Sequence, residues 1–324
     1  MRRAPVLFGL SLLIASQLFV AFKAHAEFAK DQLGRSVAVP ARAKRIVALA
    51  PSLAELAANF VGTDLGRIVG VSEYSDEPPA LKKIESVGPY HQLNLEKILA
   101  LKPDLVLATS DGNARDQIEH LAETGLPVFV VSTRSIAEVS EAMRLVGKAL
   151  GSAEAGIQMA AQLDLGISRI RARAKTRSTA PRVLLQVGDD PLVIAGGKSF
   201  LAQALEVIGA KNVYSDSDLP YPRPSIEDII HRNPDVILIL TMGAQTDPYL
   251  GSAKRWGNYS RLKAAREKHI RIVKGDSVVR PTLRLLEGLA LLEMAIFGEV
   301  RATQTPEPES KPDGSPPSLG KPRR

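Results

Sequence analysis

Three tyrosines, two glutamates and one acid–base pair carry the chemistry legible in this chain. Tyr74, Tyr90 and Tyr221 each sit in a proline-containing stretch, YSDEPP, VGPY and DLPY. In an open α/β sheet, loops beyond the strand ends face the ligand crevice. Aromatic rings there can stack on a large flat ligand while the phenolic hydroxyl stays wet. The same rings can instead pack beneath their own loops, and spacing alone does not choose. Glu96 and Glu227 each follow a tyrosine, Tyr90 and Tyr221, at the same short interval. Asp276 and Arg280 stand at i, i+4. That spacing suits a surface ion pair, which contributes little, or a polar clamp at a cleft mouth.

The glutamates belong to a unit that occurs twice. Residues 93–107 read LNLEKILALKPDLVL and residues 224–238 read PSIEDIIHRNPDVIL. Asn94 and Ser225 are in place to cap a helix, and the glutamate two positions on lies in the first turn, where the helix dipole favours a carboxylate. Leu95, Ile98 and Leu99, or Ile226, Ile229 and Ile230, form a helical stripe. Pro103 or Pro234 ends the helix, and the apolar run that follows suits a buried parallel strand. The interval from Glu96 to Glu227 is far too long for one repeat of a solenoid. It implies two lobes of like construction.

The rest of the chain fits that plan. Strands are expected at Arg45–Ala50, Ile68–Ser72, Val128–Ser132, Arg182–Val187, Leu192–Ala195 and Ile270–Val273, with helices between them, the alternation of a parallel α/β fold. Residues 27–44 read as an extended lead-in. Residues 135–177 contain no strand-like run and read as one long, slightly broken helix joining the lobes, or as two surface helices of the first lobe. Residues 243–260, with the sole tryptophan Trp256, read as a turn-rich loop. The lobes are thus expected at 27–134 and 178–300. Residues 1–26, basic at the start, apolar through Phe22 and closing on Ala24-His25-Ala26, read as a secretory signal cleaved after Ala26, with an uncleaved anchor as the alternative. Residues 301–324, with six prolines and no aromatic residue, read as a disordered tail.

Composition excludes several classes. The formal charge is +7, but much of that excess sits at the two ends, in residues 1–26 and 301–324. Basic and acidic side chains are nearly balanced over the stretch between, which calls for no nucleic acid. With no cysteine there is no disulfide, thiolate nucleophile or zinc finger. His91, His120, His231 and His269 lack metal-site spacing, so no metal site is expected. Gly197-Lys198-Ser199 looks like the end of a phosphate loop, but the upstream glycine it requires is Leu192. Gly275-Asp276-Ser277 looks like an esterase fragment, the one opening for a hydrolase using Ser277, yet no G-x-S-x-G elbow exists.

The stretches DQLGRSVAVPARAKRIVALAPSLAEL, VGVSEYSDEPP, NLEKILALKPDLVLA, GGKSF with NVY downstream, PYPRPSIEDII and GDSVVRPTLRLLEGL resemble the periplasmic cobalamin-binding proteins of ATP-driven importers. More widely, they resemble the receptors for iron siderophores and haem. The resemblance covers about residues 31–298. It implies the class III periplasmic binding protein fold, two α/β lobes with central parallel sheets bridged by one long helix, with the ligand between them. It places Tyr74, Tyr90, Tyr221, Asp276 and Arg280 against a corrinoid, and Glu96 and Glu227 against arginines of an inner-membrane permease. It implies a monomeric periplasmic receptor with no catalysis and no cofactor besides the transported ligand. Where better-known cobalamin binders carry tryptophans, this chain has Tyr90 and Tyr221, and Thr109 replaces another. Tyr90 stands in a context similar to that of haem receptors, where a tyrosinate can hold haem iron, so haem or a ferric siderophore is the alternative ligand.

Overall fold

The opening segment is an antiparallel hairpin rather than a featureless lead-in, β1 (Ala26–Lys30) pairing with β2 (Ser36–Pro40). Asp31 makes its turn. Its carboxylate accepts the N–H groups of Leu33 and Arg35 and pairs with the Arg35 guanidinium. In the computed structural model, which describes residues 26–241 and 247–298, a doubly wound lobe follows. Residues 1–25 of the expected signal and the expected tail at 301–324 lie outside the described residues. The lobe runs β3 (Ile46–Ala48), α1 (Pro51–Val61), β4 (Ile68–Val71), α2 (Leu95–Ala100), β5 (Leu105–Thr109), α3 (Arg115–Glu123) and β6 (Val128–Val131). Its strands are all parallel in the order β4-β3-β5-β6. Every residue of β5 and β6 is buried, as a sheet covered on both faces requires.

The linking segment consists of two helices, α4 (Ile136–Ala149) and α5 (Ala153–Lys175). The break at Gly151 is a reversal, and the helices pack back to back. A Cβ on Gly147 would lie 2.7 Å from Gly156 Cα, and one on Gly156 would lie 2.7 Å from Met143 O. The glycines that interrupt the sequence pattern are therefore the points where two backbones touch. The long helix α5 carries the chain into the second lobe, burying Gly156, Ala160, Leu163, Ile167 and Ile170 in one stripe.

The second lobe comprises β7 (Arg182–Gly188), β8 (Val193–Ile194), α6 (Phe200–Val207), β9 (Lys211–Asn212), α7 (Ile226–Arg232), β10 (Val236–Thr241), α8 (Asp247–Gly257), α9 (Lys263–Arg266), β11 (Ile270–Lys274), α10 (Asp276–Val279) and α11 (Leu285–Phe297). Its parallel order β11-β10-β7-β9 repeats β6-β5-β3-β4, with β8 added antiparallel to β7. The duplicated Pro-Asp has one job in both lobes. The Asp104 carboxylate accepts the N–H groups of Lys44 and Arg45 at 2.7 and 2.8 Å, and that of Asp235 accepts the N–H of Arg182 at 2.8 Å. Each aspartate thereby fixes the start of its lobe's first strand. The residue before each proline, Lys102 or Asn233, closes its helix in the left-handed region at φ 47° and 46°.

Of residues 243–260, expected as a turn-rich loop, 243–246 lie outside the described residues and most of the rest is helical. From Asp247 onward they form α8, and Trp256 is fully buried with its indole N–H donating to Gln186 Oε1 at 2.7 Å. A proline in the first turn starts a helix as readily as it breaks one, and Pro248 stands there. One apolar cluster runs without a gap from Leu53 and Ile136 through Met143 and Leu163 to Leu185 and Leu289. The two lobes share a core along the linking helices. No helix among the described residues is long and apolar enough to cross a membrane.

Candidate functional site: the interlobe cleft

In each lobe the sheet order reverses direction beside its first strand, and the crevice of such a sheet opens at the carboxyl ends of the strands there. In the first lobe that point is held by Asn113, in the loop after β5. Its side chain accepts the N–H of Thr109 at 2.8 Å and donates to Leu49 O at 2.8 Å and Tyr90 O at 2.7 Å. One buried amide thus ties two strand ends to the turn bearing Tyr90. Gln117 secures the far side of that turn, accepting from Leu93 N and donating to Leu93 O. The Tyr90 ring lies on Gly112, where a Cβ would sit 2.4 Å from Cε2. Asp111 accepts the Thr133 hydroxyl at 2.8 Å and pairs with Arg134 at 2.7 Å, fixing the end of β6. Sequence pattern alone does not single out Asp111 or Asn113. The signal was the turn-forming run Ser110-Asp-Gly-Asn113 directly after a core strand.

The second wall carries Tyr221 on a loop that rests on the Gly196-Gly197 pair. Gly196 N donates to Pro220 O at 2.9 Å, and Ile194 N to Pro222 O at 3.2 Å. A Cβ on Gly196 would lie 2.1 Å from Leu219 O, and one on Gly197 would lie 2.3 Å from Ser215 O. The glycines of GGKS are a bed for backbone rather than a cradle for phosphate, and Ser199 caps α6 through the N–H of Ala202. On its other side the loop is gripped by Arg232, which forks onto Asp216 at 2.8 and 3.0 Å and lies 4.1 Å over the Tyr214 ring. The Tyr214 hydroxyl, buried and donating to Asp228 at 2.6 Å, is pushed well above the ordinary phenol range.

The rings are not packed under their loops. Tyr74, Tyr90 and Tyr221 are 75%, 40% and 47% exposed. Part of Tyr221 is nevertheless desolvated. That desolvation, and then the proximity of Tyr90 and Asp111 on the opposite wall, raise its hydroxyl pKa. Tyr90 and Tyr221, carried by different lobes, therefore lie near one another. Tyr74, in the loop after β4, has φ 63°, a conformation a bulky residue adopts only under constraint. Arg280, 8% exposed, reaches across from the second lobe to Asp76 Oδ1 at 2.5 Å and Tyr74 O at 3.2 Å. Asp276, partly buried, opens α10 one turn earlier. Ser277 is buried in the same turn, its carbonyl against Gly288.

Glu96 and Glu227 are exposed in the first turns of α2 and α7, capped by Asn94 and Ser225 as their spacing predicts. Each helix leads into the next parallel strand of its sheet, so its N-terminus lies at the strands' carboxyl edge, beside the cleft. Its own backbone N–H and the Ser225 hydroxyl hold the Glu227 carboxyl below the usual range. Among the described residues, no three His, Asp or Glu side chains are placed to hold a metal ion. A cavity of about 260 Å³ lined by Val236, His269, Arg271, Met294 and Phe297 lies at the opposite edge of the second sheet, away from the tyrosines.

The profile of the periplasmic binding protein family matches residues 46–276, which run from β3 to the start of α10. The chain is similar to the vitamin B12-binding protein of Yersinia pestis (strain Pestoides F), 34% identical over 211 residues that span 64% of this chain and 74% of the relative. Among solved structures it is similar to the periplasmic vitamin B12 binding protein BtuF of Vibrio cholerae. That match has a TM-score of 0.69 and 27% identity, covering 78% of this chain and 96% of the other. A periplasmic heme binding protein from Pseudomonas aeruginosa matches with a TM-score of 0.68 and 26% identity, over 79% and 93% of the two chains. With the family profile running through both lobes and solved relatives covered almost end to end, the chain belongs to the periplasmic binding protein family.

Proposed function

We propose that this protein captures cobalamin or a related corrinoid in the periplasm, between its two lobes, and delivers it as a monomer to an ATP-driven importer of the inner membrane. The observation that carries the reading is the pair Tyr90 and Tyr221, brought near each other from different lobes and half exposed, with the buried Asn113 amide behind Tyr90 and the Gly196-Gly197 bed under the Tyr221 loop. Two such rings can grip a broad, flat macrocycle between them, with Tyr74 and Asp276 at the rim. The vitamin B12-binding relatives support the corrinoid over other flat ligands. Glu96 and Glu227, one per lobe, are the contacts offered to the permease, and rim charges of this kind govern encounter and register more than affinity. The protein's work in this reading is recognition; it catalyses nothing.

Titration calorimetry of the purified protein with cyanocobalamin tests the reading. Burying about 100 Å² of a tyrosine ring contributes about 2.5 kcal/mol at ~25 cal/mol per Å². Tyr90→Ala and Tyr221→Ala should therefore each weaken one-to-one binding by about tenfold to a hundredfold. A second reading, haem held through a Tyr90 phenolate, is favoured by the exposure of Tyr90 and by the heme-binding relative. Silence with cobalamin, together with a tyrosinate spectrum on adding haemin, would discard the corrinoid and keep the fold.

A further inference from the structure

The stretch Arg280-Pro281-Thr282 crosses from the second lobe to the first at two points. Arg280 Nη2 meets Asp76 Oδ1 and Tyr74 O, both in the loop after β4. Just beyond it, the Thr282 hydroxyl donates to Glu55 Oε1 at 2.7 Å, on α1, and the Arg284 guanidinium stands 3.9 Å from the other oxygen of Glu55. Pro281, with its φ fixed by the ring, separates the two grips, and Thr282 N donates back to Arg280 O at 2.9 Å. A single contact between two bodies is a pivot, whereas two contacts on different elements set both a distance and an angle. Arg280, Thr282 and Glu55 are 8%, 0% and 4% exposed. Separating the lobes here would strand a buried guanidinium and a buried carboxyl without their partners, the costly way to break such pairs.

We propose that Arg280 is a positioning residue, the end of an interlobe strut that fixes the width of the cleft and holds the Tyr74 loop at its mouth. The backbone of Tyr74 supplies the second reason. A left-handed tyrosine persists only where its surroundings over-determine it, and here the guanidinium bond to its carbonyl joins the Ser72–Ser75 hydroxyl contact of 3.3 Å in the same loop. Arg280 thus acts on a ligand through Tyr74. Its other nitrogen, Nη1, is buried with no protein partner, the one feature of this residue that would suit direct contact instead. The ligand arm of the test rests on the corrinoid reading; the distance arm does not.

Because the chain has no cysteine, two spin labels can be placed cleanly, at exposed Glu123 in the first lobe and exposed Lys254 in the second. Pulsed electron paramagnetic resonance should give one narrow interlobe distance in the parent protein and a longer, broader distribution in Arg280→Met. Asp76→Asn should broaden it in the same direction, and carries the test by itself if Arg280→Met fails to fold. Arg280→Lys, which keeps the charge without the fork, should fall between. Cyanocobalamin affinity should fall at least tenfold in Arg280→Met, and that loss should shrink when Tyr74 is already alanine, leaving only the part that comes from the changed width between Tyr90 and Tyr221. An unchanged distance distribution in both Arg280→Met and Asp76→Asn overturns the strut. So does an affinity loss in Arg280→Met that persists in full without the Tyr74 ring, which would make Arg280 a direct contact. Absence of cobalamin binding in the parent protein removes the corrinoid reading and leaves the distance measurement to decide the strut.

Discussion

Gly196→Ala isolates the bed on which the Tyr221 loop lies. The new Cβ would stand 2.1 Å from Leu219 O and 2.8 Å from Pro222 Cδ, and neither atom is the free end of a flexible side chain. Ordinary contact requires the loop to retreat by about 1 Å. That retreat stretches the bonds from Gly196 N to Pro220 O and from Ile194 N to Pro222 O beyond useful length. Each such bond contributes about 1 kcal/mol net, and overpacking adds about 1 kcal/mol or more. Because the loop is exposed and its freed carbonyls can reach water, the expected loss is about 2–3 kcal/mol, at the lower end of that sum. Tyr221 follows Pro220 directly, so the ring moves with the loop and cyanocobalamin affinity should drop by about tenfold or more.

Urea unfolding followed by fluorescence of the buried Trp256 measures the first quantity, and calorimetry the second. Gly251→Ala is the control. Gly251 lies within α8 with nothing within 4 Å of its missing Cβ, so alanine there should raise stability by about 0.5–1 kcal/mol and leave binding alone. Parent-like stability in Gly196→Ala would refute the close approach. Lost stability with intact affinity would refute the role of Tyr221.

Glu55 gives a pH prediction. Burial raises its carboxyl pKa against the opposing pull of the Thr282 hydroxyl, Arg284 and Arg280, with Glu77 adding to the rise. Between the unfolded and folded pKa the native state holds a proton that the unfolded chain has released, so this group's contribution to stability falls as pH rises through that window. Glu55→Gln keeps an acceptor for Thr282 and removes the charge. Its urea midpoint should vary less with pH above the ordinary carboxylate range, and parallel curves for the two proteins would sink the idea. At the rim, Glu96→Lys with Glu227→Lys should leave cyanocobalamin affinity intact and abolish uptake by cells. Unchanged uptake would remove both residues from docking.

The two-lobe plan was legible because the duplicated unit repeats a physical requirement. Each parallel sheet needs a helix that stops and a strand that starts at a fixed height, and Pro-Asp supplies both. What the pattern could not show was the partner of that aspartate, because Arg45 and Arg182 lie a whole strand–helix unit or more upstream of Asp104 and Asp235. The same distance in sequence hid Asn113, whose importance comes from backbone partners in separate segments of the chain. It hid Arg280 as well. The i, i+4 spacing drew attention to Asp276, whereas the structure carries the guanidinium back to the other lobe, to Asp76. Residues 247–257 read as a loop for a local reason. Their glycines, serine and proline read as breakers, while the buried positions Ser252 and Trp256 keep helical spacing.

Each cleft tyrosine is tied down by a different device. The Asn113 amide holds the backbone of Tyr90, a glycine bed holds the loop of Tyr221, and a guanidinium from the far lobe holds the carbonyl of Tyr74. In all three the anchor grips main chain and leaves the ring exposed. In the proposed reading, binding would order only the two side-chain torsions of each tyrosine, not the loop that carries it, and the entropy lost on association would be correspondingly small. The shared core along α4 and α5 extends the same logic to the whole molecule, since swinging the lobes apart would tear apolar contacts that run unbroken from Leu53 to Leu289. On the corrinoid reading, a cleft with preset width and preset ring positions would gain affinity from preorganisation.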